Sequence, residues 1–244
     1  MNNIITSPNN QIIKYTKKLR LKKFRDKENK FIIESRKLVD EALKTGLEID
    51  YIIVDETYEL REDHGTSYRL KSNLFKSLSN MQSPDGLLAV CVKRREEAKL
   101  ANRILVMDRI QDPGNAGSLI RSAEAFGFRD VIMIESVDVY NEKALRASMG
   151  STFRLNILYR SYDFLRELKS EGYKLYSADM DGEDYRKEDY QDKILLVIGN
   201  EGQGISQEIE NILDRTIKIP MQGEIESLNA AISGSIIMSE ISSR

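Results

Sequence analysis

Three glycines fall within IGNEGQGIS, residues 198–206, directly after the apolar run 194–197. Glycine-rich turns between a strand and a helix commonly cradle phosphates, because their backbone N–H groups face an anion. Gly199 and Gly204 have the spacing of a G-x-x-x-x-G-K-[ST] loop. However, Ile205 stands where that loop needs the lysine that reaches the β/γ-phosphates. As a dinucleotide fingerprint the order is also wrong: G-x-x-G-x-G replaces G-x-G-x-x-G, late in the chain rather than in a first βα turn. Glu201 would repel a phosphate. The glycines then serve close approach of backbone to a ligand, and the carboxylate suits a cation such as a sulfonium, or an arginine.

Two further stretches carry polar groups in otherwise apolar surroundings. In QDPGNAGSLIRSAEAFGF (111–128), Pro113 and Gly114 enforce a turn. Asn115 lies at the mouth of the following helix, placed to cap it or to bind a ligand. Arg121 follows six residues on, beside the packed set Leu119, Ile120, Ala123 and Phe126, so it lies at the edge of that face or is buried. In IPMQGEIESLNAAISG (219–234) a strand ends at Pro220 and a helix is expected from about Ser227. That helix is apolar or small nearly all round, which predicts burial, with a second subunit as the partner surface. Packing does not account for Ser227 and Asn229 at its start.

The elements that must position these loops alternate between strand and helix. Strands are expected at 31–34, 50–56, in GLLAVCVKR, at 103–108, 130–135, FRLNILY, KLYSAD, KILLVIG and RTIKIP. Helices are expected at RKLVDEALKTG with Gly46 just past its end, at 73–80 capped by Asn73, and at SLIRSAEAFGF, NEKALRASMG, YDFLRELKSEG and SQEIENILD with Ser206 as cap. Short apolar strands between helices predict an α/β fold with a mostly parallel sheet covered on both faces. A small α/β domain at 1–93, a polar linker at 94–102 and a larger domain at 103–244 follow from this order.

With 244 residues and 41% apolar content, the chain has material for one large or two ordinary domains. No apolar run is long enough to cross a bilayer. The opening MNNIITSPNN lacks a secretory pattern, so a cytoplasmic protein is expected. Cys91 is the only cysteine and His64, in a polar stretch, the only histidine, which disfavours a disulfide, a zinc cluster or a histidine-based triad. Residues 1–37 hold 11 Lys/Arg against 3 Asp/Glu, whereas the whole chain has a net charge of −2. Within this segment Ile12, Tyr15, Leu19 and Leu21 form a narrow apolar stripe. The basic remainder fits a polyanion partner or a solvated helix face.

Taken together, DPGNAGSLIRSAEAFGF, LVIGNEGQGIS and IPMQGEIESLN resemble the three ordered motifs of the SpoU (TrmH) family of RNA ribose 2′-O-methyltransferases, of the SPOUT superfamily. The resemblance covers residues 103–244. The N-terminal part, including SPDGLLAVC, resembles the substrate-binding domain of members acting on ribosomal RNA. The resemblance implies a C-terminal deep trefoil knot, a homodimer through that domain, and S-adenosylmethionine as cofactor, with no metal. It places Gly199, Asn200, Ile219, Met221 and Leu228 at the cofactor and Arg121, Asn115, Glu201, Ser227 and Asn229 at the chemistry, with Ser206 also in a motif. The chain departs from the family after SLN, where Ala230 and Ala231 replace a usual valine–serine pair. Ribosomal RNA, specifically 23S, is the favoured substrate. Transfer RNA, a noncatalytic RNA-binding protein of the same fold and a nucleotide hydrolase are the competing readings.

Overall fold

A computed structural model describes residues 4–60, 65–225 and 227–244; His64 lies outside them. The elements in chain order begin with α1 (Gln11–Lys18), α2 (Lys22–Glu28), β1 (Lys30–Glu34), α3 (Arg36–Lys44), β2 (Ile49–Asp55), β3 (Ser67–Leu70), α4 (Ser72–Leu78) and β4 (Leu87–Val92). They continue with β5 (Arg103–Asp108), α5 (Pro113–Ala125), β6 (Asp130–Ile134), α6 (Glu142–Ser148), a 3-10 turn (Ser151–Phe153), β7 (Asn156–Tyr159) and α7 (Tyr162–Ser170). The last are β8 (Lys174–Asp184), β9 (Ile194–Ile198), α8 (Gln207–Glu210), β10 (Arg215–Lys218) and α9 (Ala230–Ser242). The chain divides into two units, 1–95 with 140–153, and 96–139 with 154–244. Among the described residues, no helix is long and apolar enough to cross a membrane.

The first unit is built on a four-stranded sheet in the order β1-β4-β2-β3, with β4 antiparallel to both neighbours and β3 parallel to β2. Ile13, Leu19, Ile32, Ile53, Leu74, Phe75, Leu78 and Val90 form its core. The stripe expected of the basic segment is carried by Ile12, Tyr15 and Leu19, which pack on this core, and not by Leu21. Ile13, Thr16 and Leu19 are buried, Ile12 and Tyr15 are half-buried, and Leu21 is 59% exposed. The helix breaks there. Buried Arg25 donates to the carbonyls of Leu19 (3.0 Å) and Arg20 (2.6 Å), which the end of α1 leaves without helical partners. Gly46, at φ +65°, closes α3 as expected: Gly46 N–H donates to Leu43 and Leu47 N–H to Ala42. Helix α4 starts at Ser72, one residue ahead of the expected cap Asn73, because Ser72 N–H donates to the Glu56 carboxylate (3.2 Å) and its hydroxyl to Asp55 (3.0 Å). Residues 140–153 join this unit through Tyr140 and Phe153, whose rings lie 4.9 and 6.0 Å from that of Phe31. The Arg20–Glu142 ion pair (2.7 Å) holds the same segment.

The second unit carries a six-stranded, wholly parallel sheet in the order β10-β8-β9-β5-β6-β7. Strands β5, β6 and β9 are apolar throughout their interiors because helices cover both faces. From β5 the chain steps outward to β6 and β7, then crosses back to place β9 beside β5. The carboxyl ends at such a reversal are where open parallel sheets bind ligands. Strand β8 is longer than the KLYSAD run suggests. It pairs with β9 only as far as Ser177, then continues along β10 past a register shift at Thr216/Ile217. Gly182 permits that continuation, since a Cβ there would meet the Thr216–Ile217 backbone at 2.6 Å.

Helix α9 begins at Ala230 rather than near Ser227. Asn229 is its cap, with Oδ1 accepting from Ala231 N–H (2.9 Å) and Ile232 N–H (3.3 Å). Its buried face packs on α5 and β9 so closely that a Cβ on Gly234 would meet Leu119 Cδ2 at 2.5 Å. Burial is not all round: Ile232 is 52% exposed.

Candidate active site

Strand β5 ends on Asp108, which is fully buried. Its carboxylate accepts from Ser206 N–H (2.6 Å) and from the Tyr162 hydroxyl (2.9 Å). Burial, and then the bond to Asp108, push the Tyr162 phenol up to about 12, so it stays a donor. The next residue, Arg109, adopts φ +57° and offers its carbonyl to Asn200 Nδ2 (2.9 Å). Both ends of the glycine-rich loop are thereby fastened to the end of β5.

The loop also closes on itself. Asn200 and Gly204 exchange backbone hydrogen bonds (2.8 and 3.0 Å), and Asn200 Oδ1 accepts from Gly202 N–H (2.9 Å) and Gln203 N–H (3.0 Å). A Cβ on Gly199 would lie 2.5–2.6 Å from Gly204 and Ile205 backbone atoms. The absence of a side chain at Gly199 therefore serves the loop's own closure, not only approach to a ligand. Ser206 precedes α8 as expected, but its contribution is the backbone bond to Asp108; its side chain makes no cap bond.

Helix α5 is capped by Asp112, whose carboxylate accepts Asn115 N–H (2.9 Å). The Asn115 side chain is consequently not needed for capping. Its Nδ2 donates to Glu201 Oε1 (2.8 Å), and its Oδ1 accepts from Asn229 Nδ2 (2.9 Å). One residue from each of the three motifs thus joins a single chain, Asn229 to Asn115 to Glu201. Because Asn229 Oδ1 is committed to the amides of α9, the donor and acceptor ends of both side-chain amides are set by the network. Glu201 faces Asn115. Arg121 stands apart: it is exposed on α5 and makes no hydrogen bond or ion pair with any described residue.

Beside this chain lies a cavity of about 360 Å³. Gly199, Asn200, Glu201, Ile219, Met221, Ser227 and Leu228 line it, as do Ala178, Asp179 and Met180 from the far end of β8. Sequence reading missed the β8 residues, because a strand that continues beyond its apolar run gives no periodic signal. Among the described residues the lining includes no lysine, arginine or histidine, and its charged groups are the carboxylates of Asp179 and Glu201. Apolar walls, exposed loop backbone and net negative charge suit a nucleoside-sized cation and disfavour a phosphate. S-adenosylmethionine, with its sulfonium and ammonium groups, has that character. The residues present fit it, with Gly199, Asn200, Ile219, Met221 and Leu228 as the wall on which it would rest.

These features define a parallel α/β enzyme with a pocket at the sheet's reversal point. Residues 102–239 match the SpoU rRNA Methylase family, and residues 10–89 match an MRM3-like substrate binding domain. A protein of Bacillus subtilis, the 23S rRNA (guanosine(2553)-2′-O)-methyltransferase RlmP, is 35% identical over 241 residues, spanning 96% of this chain and 97% of its own. The solved S-adenosylmethionine-bound rRNA methyltransferase of Sinorhizobium meliloti superposes with a TM-score of 0.85 at 28% identity, covering 98% of this chain and 96% of that one. The SpoU methyltransferase AviRb of Streptomyces viridochromogenes, in complex with the same cofactor, gives 0.82 at 25% identity, with 96% and 98% covered. The chain belongs to the SpoU rRNA methylase family and is an S-adenosylmethionine-dependent RNA ribose 2′-O-methyltransferase.

Proposed function

We propose that this enzyme methylates a ribose 2′-hydroxyl in 23S ribosomal RNA, with residues 103–244 as the methyltransferase domain, 94–102 as linker and 1–93 as the RNA-binding domain. The observation that carries the site assignment is the Asn229–Asn115–Glu201 chain at the edge of the cavity. When bound, S-adenosylmethionine supplies an activated methyl group. The chain's own residues then have to align the hydroxyl and ease the loss of its proton.

Asn115 uses one donor and one lone pair internally, which leaves a second N–H and a second lone pair for a ribose hydroxyl. Glu201 and Asn229 hold that amide in one orientation. Ser227, on the cavity wall, adds a hydroxyl. Fixing the reactants in this way is worth up to about 7–11 kcal/mol. A guanidinium keeps its proton at neutral pH, so Arg121 is not a simple base. Its role is to clamp the phosphate next to the target ribose and to stabilise negative charge developing on the oxygen. The hydroxyl proton passes to that phosphate and on to water. Exposure and the lack of a partner among the described residues suit Arg121 to this task.

The lysines of α1 and α2 serve the RNA backbone. Lys14, Lys17, Lys18, Lys23 and Lys27 are exposed, while Ile13 and Leu19 on the same segment are core, so these lysines can be changed without dismantling the unit. Replacing them with glutamine lowers RNA affinity and flattens its salt dependence. The apolar, exposed Ile232 and Ile225 support a homodimer through the C-terminal domain. The family resemblance supports a trefoil knot in that domain and a cytoplasmic setting.

Arg121→Ala is the test of the site. Methyl transfer falls by at least about 10²-fold, the loss typical of a removed transition-state charge partner, while S-adenosylmethionine affinity stays within a few-fold. Transfer near the wild-type rate overturns the role given to Arg121.

A further inference from the structure

The far end of β8 brings a carboxylate to the cavity that none of the three motifs contains. Ser177 pairs with Val197, so Ala178 and Asp179 run beside the point where β9 gives way to Gly199. Asp179 lines the cavity and is exposed to it. One of its oxygens accepts Asp181 N–H at 3.2 Å, and it has no cationic partner among the described residues. Glu201, the other lining carboxylate, already accepts from Asn115 (2.8 Å). Among the described lining residues, Asp179 is therefore the carboxylate that no side chain engages.

A carboxylate at the carboxyl edge of a parallel sheet is well placed to accept hydrogen bonds from a nucleoside ribose. It is an equally good acceptor for an ammonium. We propose that Asp179 is a cofactor-binding residue, whose carboxylate accepts hydrogen bonds from a donor group of S-adenosylmethionine, either its ribose diol or its α-ammonium. The proposal rests on the reading that this cavity holds that cofactor. It gives the polar part of the ligand a charged acceptor that the site's own hydrogen bonds leave available. It also assigns a purpose to the continuation of β8 beyond β9.

Calorimetric titration of the full chain separates the possibilities. S-adenosylmethionine, S-adenosylhomocysteine and 5′-methylthioadenosine are titrated into the wild type, Asp179→Ala and Asp179→Asn, with melting temperature and RNA affinity as controls for folding. Asp179→Ala weakens S-adenosylmethionine at least about tenfold, and Asp179→Asn, which keeps one acceptor oxygen, weakens it less. Equal weakening of all three ligands assigns the ribose diol. Weakening confined to the two that carry the amino acid assigns the ammonium. Unchanged affinity in Asp179→Ala, or a loss seen only for the sulfonium-bearing ligand, overturns the proposal. If Asp179→Ala does not fold, Asp179→Asn decides on the same criteria. Failure of the wild type to bind any of the three contradicts the cofactor reading itself, a result distinct from failure of the Asp179 variants alone.

Discussion

The two loops that wall the cavity are built in opposite ways. The loop at 199–206 is closed by reciprocal bonds between Asn200 and Gly204, filled by the Asn200 side chain and fastened at both ends to β5. In the loop at 219–228, no described residue makes a hydrogen bond or ion pair, and most of them are exposed. Fastening begins again only at Asn229. Segments with few internal bonds and little burial open at low free-energy cost. One wall is thus held by the chain's own hydrogen bonds and the described residues of the other are not, which predicts that ligand binding orders the second wall more than the first. The Asn229–Asn115–Glu201 chain follows the same division: Asn115 and Glu201 sit on the fixed side, and Asn229 is held because it caps a helix.

The largest effect expected of this contrast comes from Gly199→Ala. The added Cβ would occupy space held by Gly204 backbone, which cannot move without breaking the Asn200–Gly204 pair. Cofactor binding measured by calorimetry falls by at least about 10²-fold, equivalent to about 3 kcal/mol. Gly223→Ala, in the other loop with open space around it, leaves binding within a few-fold. Equal effects at the two glycines would erase the distinction between the walls.

Next in size is Asp108. Asp108→Leu strands the buried Ser206 N–H, at a cost of about 1–3 kcal/mol, and removes the acceptor of the half-buried Tyr162 hydroxyl. Asp108→Asn keeps an acceptor for Ser206, and its amide donates to the Tyr162 oxygen, so most of the loss is recovered. Chemical denaturation of the three proteins checks this order. A leucine variant as stable as the asparagine variant would show that the fastening contributes nothing.

Asn229→Ala tests the junction between the walls. Loss of the α9 cap lowers stability by about 1 kcal/mol, and the freed Asn115 amide lowers the methyl-transfer rate more than it changes cofactor affinity. The smallest effect is one of protection. On binding S-adenosylmethionine, amide exchange slows across 219–228 and changes little across 199–206. The reverse pattern would invert the assignment of fixed and ligand-ordered walls.

The legibility of these features in the sequence depended on their range. Strands β5 and β9 match runs of apolar residues bounded by charge or glycine, and their ends were readable because burial on both faces tolerates nothing else. Strand β3 escaped notice because SYRL is short and mostly polar at a sheet edge. The break between α1 and α2 depends on buried Arg25 reaching two carbonyls, which no periodicity encodes. Asn115, Glu201 and Asn229 were singled out by polarity and by resemblance. Their contact across separations of 86 and 114 residues is a product of the parallel sheet, and spacing alone could not supply it. In the sequence Asp179 is simply the last residue of a strand run, since its proximity to Gly199 arises only from the register of β8 against β9.

The central claim is that this site places a methyl group on a ribose oxygen of 23S ribosomal RNA. Its most direct test is site-resolved mapping of ribose methylation in unmodified 23S RNA incubated with S-adenosylmethionine and the purified wild type or Arg121→Ala. The expected result is one nucleotide newly methylated on its 2′-oxygen by the wild type and none by the variant. Methylation on a base, or no ribose methylation by the wild type, would contradict it.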